Sequence, residues 1–206
     1  MQIEMREFDE RDVGLASEFA SVGMNFDRLV ANPVLRGVYS RFFVEMELAE
    51  ATQAIAAYAD GRLAGLLMAH MAGEARRYRT VSRMARVRVM GAGVRLFDAA
   101  SERAYERANR NMLARCRARR HLDGEISFLA ADPAIKGQGI GRRLLDELAR
   151  REAGKTVFLY TDDNCDYGFY EHMGFTLEEQ AVIAVGPCDE DGVMRCMLYS
   201  RELAGL

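Results

Sequence analysis

Three glycines spaced two residues apart lie between a predicted strand and a predicted helix. Gly137, Gly139 and Gly141 let the backbone approach a ligand closely and direct several N–H groups at one point. The helix adds the positive end of its dipole, and Arg142 and Arg143 add full charges, so a pyrophosphate would find both donors and a favourable field. A glycine-rich turn that merely leads into a helix is the alternative, and the loop alone does not decide between them.

Two well-known phosphate-binding loops do not fit this spacing. A Walker A loop requires a glycine, a four-residue spacer and then Gly-Lys followed by Ser or Thr, and the chain lacks that full pattern. A Rossmann fingerprint requires G-x-G-x-x-G, but Arg142 stands where the third glycine should be. Neither common nucleotide-binding fold therefore explains the loop.

A second group of residues suited to chemistry lies about thirty residues further along, between Asn164 and Phe175. The strand that ends at Asp132-Pro133, the loop from Lys136 to Gly141, and Phe169-Tyr170-Glu171 with Gly174-Phe175 together resemble the GNAT family, the acetyl-CoA-dependent N-acetyltransferases. The opening strand and helix, and a hairpin at Asp60-Gly61, are similar to that family as well. The resemblance covers nearly the whole chain and leaves out only an arginine-rich stretch.

The resemblance implies that acetyl-CoA binds along one strand and the glycine loop. Lys136, Gly139 and Gly141 fall on the fixed positions of the family pattern Gln/Arg-x-x-Gly-x-Gly/Ala, and the lysine is a departure that keeps the charge but loses the planar fork. The strand is expected to splay from the next one, so that its free backbone groups pair with the pantetheine arm while loop N–H groups hold the pyrophosphate. The implied binding residues are Leu129, Ala130, Ala131, Lys136, Gly137, Gln138, Gly139, Ile140, Gly141, Arg142 and Asn164.

Tyr170 falls on the tyrosine that, in many family members, lies beside the CoA sulfur as general acid. Aminolysis of a thioester expels a thiolate whose thiol has a pKa near ~8.5, and a phenol with a pKa near ~10 can donate a proton or hydrogen bond to it. Packing among neighbouring aromatic rings is the alternative role. Asn164 lies near the asparagine that precedes this tyrosine in the family, one residue closer than in the commonest form, and a helix N-cap is its alternative role.

Glu125 opens the strand that leads to the glycine loop, where some GNAT enzymes keep a glutamate as general base. An acceptor ammonium with a pKa near ~10.4 must lose a proton before it can attack the thioester carbonyl, and a carboxylate could take that proton directly or through water. A solvated glutamate after a glycine turn is the alternative. Tyr170 and Glu125 are thus the predicted catalytic residues.

Cysteine and histidine chemistry is less favoured by the pattern. Cys165 with His172 as base would be a nucleophilic pair, but their spacing defines no such pair and direct transfer needs no thiol. His121 could line the acceptor site or simply be solvated. The four cysteines show neither CxxC spacing nor clustering with histidines, which argues against a metal site and favours reduced thiols in the cytoplasm: Cys116, Cys165, Cys188 and Cys196.

The elements that must position these residues form a mixed α/β pattern without repeats. Apolar and polar residues alternate from Ile3 to Phe8, Asp9 can cap a helix to about Gly23, and Asn32-Pro33 begins a second helix. The Asp60-Gly61 turn predicts a hairpin between the runs 52–58 and 63–71. Further strands are predicted over 125–131, 156–160, 175–185 and 194–200, and further helices over 141–151 and 166–173.

The arginine-rich segment between Arg76 and Arg120 carries a net charge of +11, so the remainder of the chain carries −14. A glycine break at Gly91 and Gly93 is expected there, followed by Asp98 as N-cap of a helix whose apolar stripe contains Ala104, Ala108, Met112 and Cys116. The charges could face an acidic acceptor or nucleic acid, hold the CoA phosphates, or form the solvated face of that helix, and the last is favoured.

Length and composition are those of a single ordinary domain of 206 residues, with 50% hydrophobic and 29% charged residues. The net charge of −3 argues against a general nucleic-acid binder, and we expect no export signal and no membrane span. We therefore expect one GNAT-like α/β domain over 1–206: a mostly antiparallel twisted sheet flanked by helices, with an inserted, largely helical segment at about 72–122. The implied function is acetyl-CoA-dependent transfer to a small-molecule or peptide amine. A non-catalytic acyl-CoA-binding module, a nucleic-acid-associated protein and homodimer formation remain open.

Overall fold

The computed structural model describes residues 2–94, 99–135, 137–184 and 192–205. Its strands are β1 (Ile3–Glu7), β2 (Gln53–Ala59), β3 (Arg62–Met71), β4 (Gly124–Ala131), β5 (Thr156–Asp162), β6 (Thr176–Ala184) and β7 (Val193–Glu202). Its helices are α1 (Val13–Gly23), α2 (Phe26–Leu29), α3 (Pro33–Glu50), α4 (Val81–Val94), α5 (Ala99–Arg117), α6 (Ile140–Arg151) and α7 (Tyr167–His172), and a short 3-10 turn at Glu10–Asp12 precedes α1. The predicted alternation of strands and helices is thereby confirmed.

The strands form one seven-stranded sheet in the order β1-β2-β3-β4-β5-β7-β6. Every neighbouring pair is antiparallel except β4 and β5, so the expected mostly antiparallel sheet is confirmed. The predicted hairpin joins β2 to β3, and Asp60 and Gly61 both have positive φ, 48° and 84°, as a tight two-residue turn requires.

Helices cover both faces of the sheet. On one face α6 buries Leu144, Leu145 and Leu148 completely. Burial of each such side chain contributes roughly 1.5–3 kcal/mol to the stability of the fold. Gly65 allows this packing, because a Cβ there would lie 2.5 Å from Cγ2 of Ile140 at the start of α6. Side chains alternate across a strand, so the opposite face receives α1 and α3 over one half of the sheet and α5 over the other.

The inserted segment is attached to this second face by apolar packing and by ion pairs. Ala108, Met112 and Cys116 of α5 are buried, as the predicted stripe required, while Ala104 is only half-buried. Helix α4 runs on through Gly91 and Gly93, where a break was expected. At Gly91 the missing side chain leaves room for the ring of Phe42, since a Cβ there would lie 3.1 Å from its Cε2. The expected N-cap Asp98 lies outside the described residues.

Arg83 departs from the interpretation of the arginines as a solvated face. It is fully buried, and its guanidinium bonds to Glu45 Oε2 at 2.7 Å, to the Tyr78 carbonyl at 2.6 Å and to Glu10 at 3.1 Å. At the other end of the segment, Arg115 and its neighbours pair with carboxylates of β6. Much of the positive excess of the segment is therefore neutralised by acidic residues elsewhere in the chain.

Within the described part of the chain, no helix combines the length and the apolar character needed to cross a membrane.

Candidate active site

The parting of β4 from β5 creates the central feature of the site. The two parallel strands pair only at Gly124 with Val157 and at Glu125 with Phe158. Beyond Glu125, β4 continues to Ala131 bonded to β3 on one side only. The expected splay is therefore present, and the edge of β4 that faces β5 has backbone groups without a strand partner.

The glycine loop follows this open edge and leads into α6. Gly137 and Gly139 have positive φ, 77° and 64°, and a Cβ built on either would meet no atom within 4 Å. Gly139 is the N-cap residue of α6, whose first-turn N–H groups have no partner within the helix. Arg142 and Arg143 are exposed and form no ion pair within the described residues. The loop thus presents donors, positive charge and open space together, although Lys136 lies outside the described residues.

Gly141 has a different, structural reason to lack a side chain. A Cβ at this position would lie 2.9 Å from Cζ of Phe169. This contact joins the first turn of α6 to α7, the helix that carries Tyr170. The loop and the predicted acid are therefore held in one packed unit.

Tyr170 has the packing role that the sequence allowed and also a free hydroxyl. Its ring centroid lies 5.4 Å from that of Phe169 and 5.7 Å from that of Phe175, and burial raises the pKa of the phenol above its ordinary value. The hydroxyls of Tyr58 and Tyr199 donate to carboxylates, whereas that of Tyr170 makes no hydrogen bond within the described residues. A half-buried phenol with an unused donor is suited to a ligand.

A β-bulge shapes the start of β4. The pairing with β3 shifts between Met68, opposite Phe128, and Ala69, opposite Ile126, so Ser127 is the extra residue. Before the bulge, Glu125 pairs with His70 of β3, and both side chains lie on the face that α3 covers. Bulges commonly re-aim side chains next to active sites, and here the bulge sets Glu125 against α3.

Three titratable groups therefore meet on this face. Burial raises the pKa of Glu125 above its ordinary value, and the nearby Arg117 partly opposes that shift. Burial, reinforced by the charges of Glu125 and Glu50, raises the pKa of Glu47 to about 7. His70 Nε2 lies 3.6 Å from Glu47 Oε2, and burial lowers the pKa of that imidazole. A carboxylate that holds its proton near neutral pH is suited to proton transfer.

Glu47 and His70 were not among the predicted site residues. His70 stands out only as a polar residue near the end of the apolar run 63–71, and Glu47 belongs to a predicted helix without any motif. Their meeting with Glu125 depends on the β3–β4 register and on how α3 crosses the sheet. Neither property is encoded by local spacing.

Asn164 lies at the junction of the β5–α7 loop with the α1–α2 turn. Its Oδ1 accepts a short hydrogen bond from Arg28, its carbonyl accepts from Asn25 Nδ2 at 2.9 Å, and its N–H donates to Asp162. The N-cap of α7 is Asp166, so the helix-cap role considered for Asn164 is wrong. Asn164 therefore links the β5–α7 loop to the α1–α2 turn and to α2.

The cysteine and histidine residues considered for nucleophilic catalysis or acceptor binding have other environments in the structure. Burial raises the pKa of Cys165 to about 12, which keeps the thiol protonated, and His172 bonds to the Gly168 carbonyl at 2.6 Å. His121 is exposed and lies 3.0 Å from Asp123 Oδ1. A nucleophilic pair is therefore not formed by Cys165 and His172. Among the residues described, no cluster of three or more His, Cys, Asp or Glu side chains is arranged to hold a metal ion.

Comparison with known proteins agrees with this arrangement. Residues 109–177 match the family model of the acetyltransferase (GNAT) domain. Over 53 residues the chain is 42% identical to the N-alpha-acetyltransferase RimI of Mycobacterium tuberculosis (strain ATCC 25618 / H37Rv), a match covering 25% of this chain and 34% of RimI. The match thus spans about a third of the length of that relative.

Solved structures resemble the chain over nearly its whole length. The Drosophila melanogaster polyamine N acetyltransferase, which catalyses the formation of N acetylagmatine, gives a TM-score of 0.59 at 15% identity, over 98% of this chain and 100% of that one. The Salmonella typhimurium protein yncA, solved with its cofactor acetyl-CoA, gives a TM-score of 0.53 at 14% identity, over 98% and 94% of the two chains. At these identities the likeness establishes the fold, which is the fold of the GNAT acetyltransferases. The family match over residues 109–177 and the local similarity to RimI support a relation of this chain to the GNAT N-acetyltransferases.

Proposed function

We propose that this protein transfers the acetyl group of acetyl-CoA directly to a primary amine of a small molecule or peptide. The observation that carries the proposal is the one-sided edge of β4, which runs from the point of parting at Glu125 to the loop that precedes α6. The acetyl-CoA bound to yncA, the N-alpha-acetyltransferase activity named for RimI and the polyamine acetylation named for the Drosophila enzyme support the same reaction class.

The chain's own groups suit the two ends of the cofactor. The backbone of Leu129, Ala130 and Ala131 on the β4 edge would pair with the amide groups of the pantetheine arm as an added strand. N–H groups from Gly137 to Arg142 would hold the pyrophosphate at the helix N-terminus. The open space around Gly137 and Gly139 fits such close approach. Lys136 and Asn164 remain proposed cofactor contacts on the family pattern.

Glu125 and Tyr170 would divide the proton transfers. The carboxylate of Glu125, directly or through water, takes a proton from the acceptor ammonium, and its raised pKa brings it closer to that of the group it must deprotonate. The neutral amine then attacks the thioester carbonyl, the new C–N bond forms as the C–S bond breaks, and the extra proton on nitrogen leaves to water. The unpartnered hydroxyl of Tyr170 supplies a hydrogen bond or proton to the departing thiolate.

Ligand-induced stabilisation tests the proposed cofactor site. Acetyl-CoA should raise the Tm, since a ligand that binds only the native state stabilises it by RT ln(1 + [L]/Kd). Gly139→Val should abolish the shift, because a β-branched side chain is strained at φ 64° and occupies the space the pyrophosphate needs. Gly154→Val is the control, with φ 82° and an equally open surrounding. A Gly139→Val protein that folds and still shifts like the wild type would show that the loop assignment is wrong.

Release of CoA with a panel of amines tests catalysis. Polyamines, amino acids, aminoglycosides and peptides cover the acceptor classes of interest, and turnover with any of them supports the proposal. Stabilisation by acetyl-CoA without turnover on any member would instead identify a non-catalytic acyl-CoA-binding module. A cytoplasmic location is also proposed, supported by the unpaired thiols of the three described cysteines.

A further inference from the structure

A cavity of about 310 Å³ lies where the inserted segment meets the start of β4. Its walls include His70 from β3, Glu125 from β4, Glu50 from the end of α3 and Arg117 from the end of α5. The proposed base therefore opens into a space that the inserted segment helps to enclose. The volume is at the small end for ligand sites, which suits a group about the size of one amino acid.

Arg117 differs from the arginines next to it on α5. Arg115, Arg119 and Arg120 form ion pairs with the β6 carboxylates Glu178 and Glu179 at 2.5–3.3 Å. Arg117 forms neither an ion pair nor a hydrogen bond within the described residues, although it lines the cavity and its charge acts on Glu125. The packing of α5 against β6 thus pairs Arg115, Arg119 and Arg120 with carboxylates and leaves the charge of Arg117 at the cavity.

The other arginine of the cavity is already neutralised. Arg76 lies 2.9 Å from Glu50 Oε2. Two further acidic residues line the cavity and have partners outside it: Glu74 pairs with Lys155 at 2.7 Å, and Asp123 lies 3.0 Å from His121 Nε2 and accepts from the Thr156 N–H. Among the described lining residues, the charged groups without such a partner are the cation of Arg117 and the carboxylate of Glu125, which interact electrostatically but lie beyond ion-pair distance. An acceptor with two positive charges would place one of them beside Arg117, which is unfavourable.

We infer that Arg117 selects acceptors in which a carboxylate accompanies the reacting amine, so that the ammonium faces Glu125 while the carboxylate pairs with the guanidinium. The inference rests on the proposed N-acetyltransferase function and deepens it. The carboxylate belongs either to a free amino acid or to the side chain of an acidic residue at a peptide N-terminus.

Matched acceptor pairs that differ only in one carboxylate test the inference. L-Alanine against L-alaninamide tests the free amino acid, and the peptides Glu-Ala-Ala-amide against Gln-Ala-Ala-amide test the N-terminal residue. In at least one pair the wild type should favour the carboxylate member by about 10- to 100-fold in kcat/KM, the value of one charge-assisted interaction.

Arg117→Gln should remove that ratio mainly through KM, whereas the control Arg115→Gln should keep it. Spermidine should gain activity with Arg117→Gln.

The outcomes separate the inference from the function beneath it. Turnover of spermidine without preference for a carboxylate in either pair would leave the acetyltransferase function standing and overturn the role of Arg117. An unchanged ratio in Arg117→Gln would overturn it too. If no amine is acetylated, the proposed function fails, but calorimetry with CoA present still tests Arg117. L-Alanine or Glu-Ala-Ala-amide must then bind the wild type more tightly than it binds Arg117→Gln. Equal binding, or no binding, overturns the inference.

Discussion

Replacement of Glu47 by Gln should stabilise the protein at alkaline pH and leave it nearly unchanged in mild acid. Burial raises the pKa of Glu47 from 4.5 to about 7, so the native state holds a proton that the unfolded chain has released. The free energy of unfolding therefore falls as pH rises from about 4.5 to about 7, and the penalty is complete above that range. The shift corresponds to about 3 kcal/mol at about 1.36 kcal/mol per pKa unit.

The assay is thermal unfolding of wild type and Glu47→Gln without ligand at about pH 5 and pH 8. At pH 8 the variant should exceed the wild type by about 6–12 °C in Tm for a chain of this size, and at pH 5 the two should nearly coincide. Glu50→Gln is the control on the same helix: it loses the ion pairs with Arg76 and Arg79, which offsets the small relief from removing a negative charge near Glu47, so no net gain is expected at pH 8. A difference between Glu47→Gln and wild type that is the same at both pH values would refute the reasoning.

Three further substitutions test other parts of the argument. Tyr170→Phe should lower kcat by about 100-fold or more with little change in acetyl-CoA affinity, whereas Tyr199→Phe, whose hydroxyl donates to Glu171, should not. Glu125→Gln should lose most activity at neutral pH and recover part of it at high pH, where more acceptor is already deprotonated; a uniform loss across pH would contradict a base. Arg83→Met leaves the buried Glu45 with one partner fewer and should cost about 3–5 kcal/mol in urea unfolding, while a loss below about 1 kcal/mol would show that the pair is not structural.

The elements around the site follow from local signals. The Asp60-Gly61 turn, the alternation in β1 and the apolar stripe of α5 depend on residues a few positions apart, and the structure confirms each of them. The glycine loop before α6 is likewise readable, because positive φ at Gly139 is a property that glycine provides by itself. The parts of the site that are formed by neighbouring residues, such as the glycine loop, can therefore be predicted from the sequence.

The surroundings of Glu125 could not be predicted in the same way. The bulge at Ser127, the pairing of Glu125 with His70 and the burial of Glu47 all arise from contacts between distant segments. Arginine burial is hidden for the same reason: Arg83 and Arg117 look alike in a basic stretch, yet one is enclosed with Glu45 and the other lines a cavity. Long-range carboxylate partners decide which arginine is structural.

The parted edge of β4 also bears on the solubility of the chain. Its unpaired N–H and C=O groups between Ile126 and Ala131 could accept a strand from any other chain, and such edges promote aggregation. The edge would be shielded from such pairing only when the cofactor occupies the position of the missing strand. A cofactor bound along this edge would also block strand pairing with other chains. The supply of acetyl-CoA would therefore affect both the fraction of the protein that stays monodisperse and its catalytic activity.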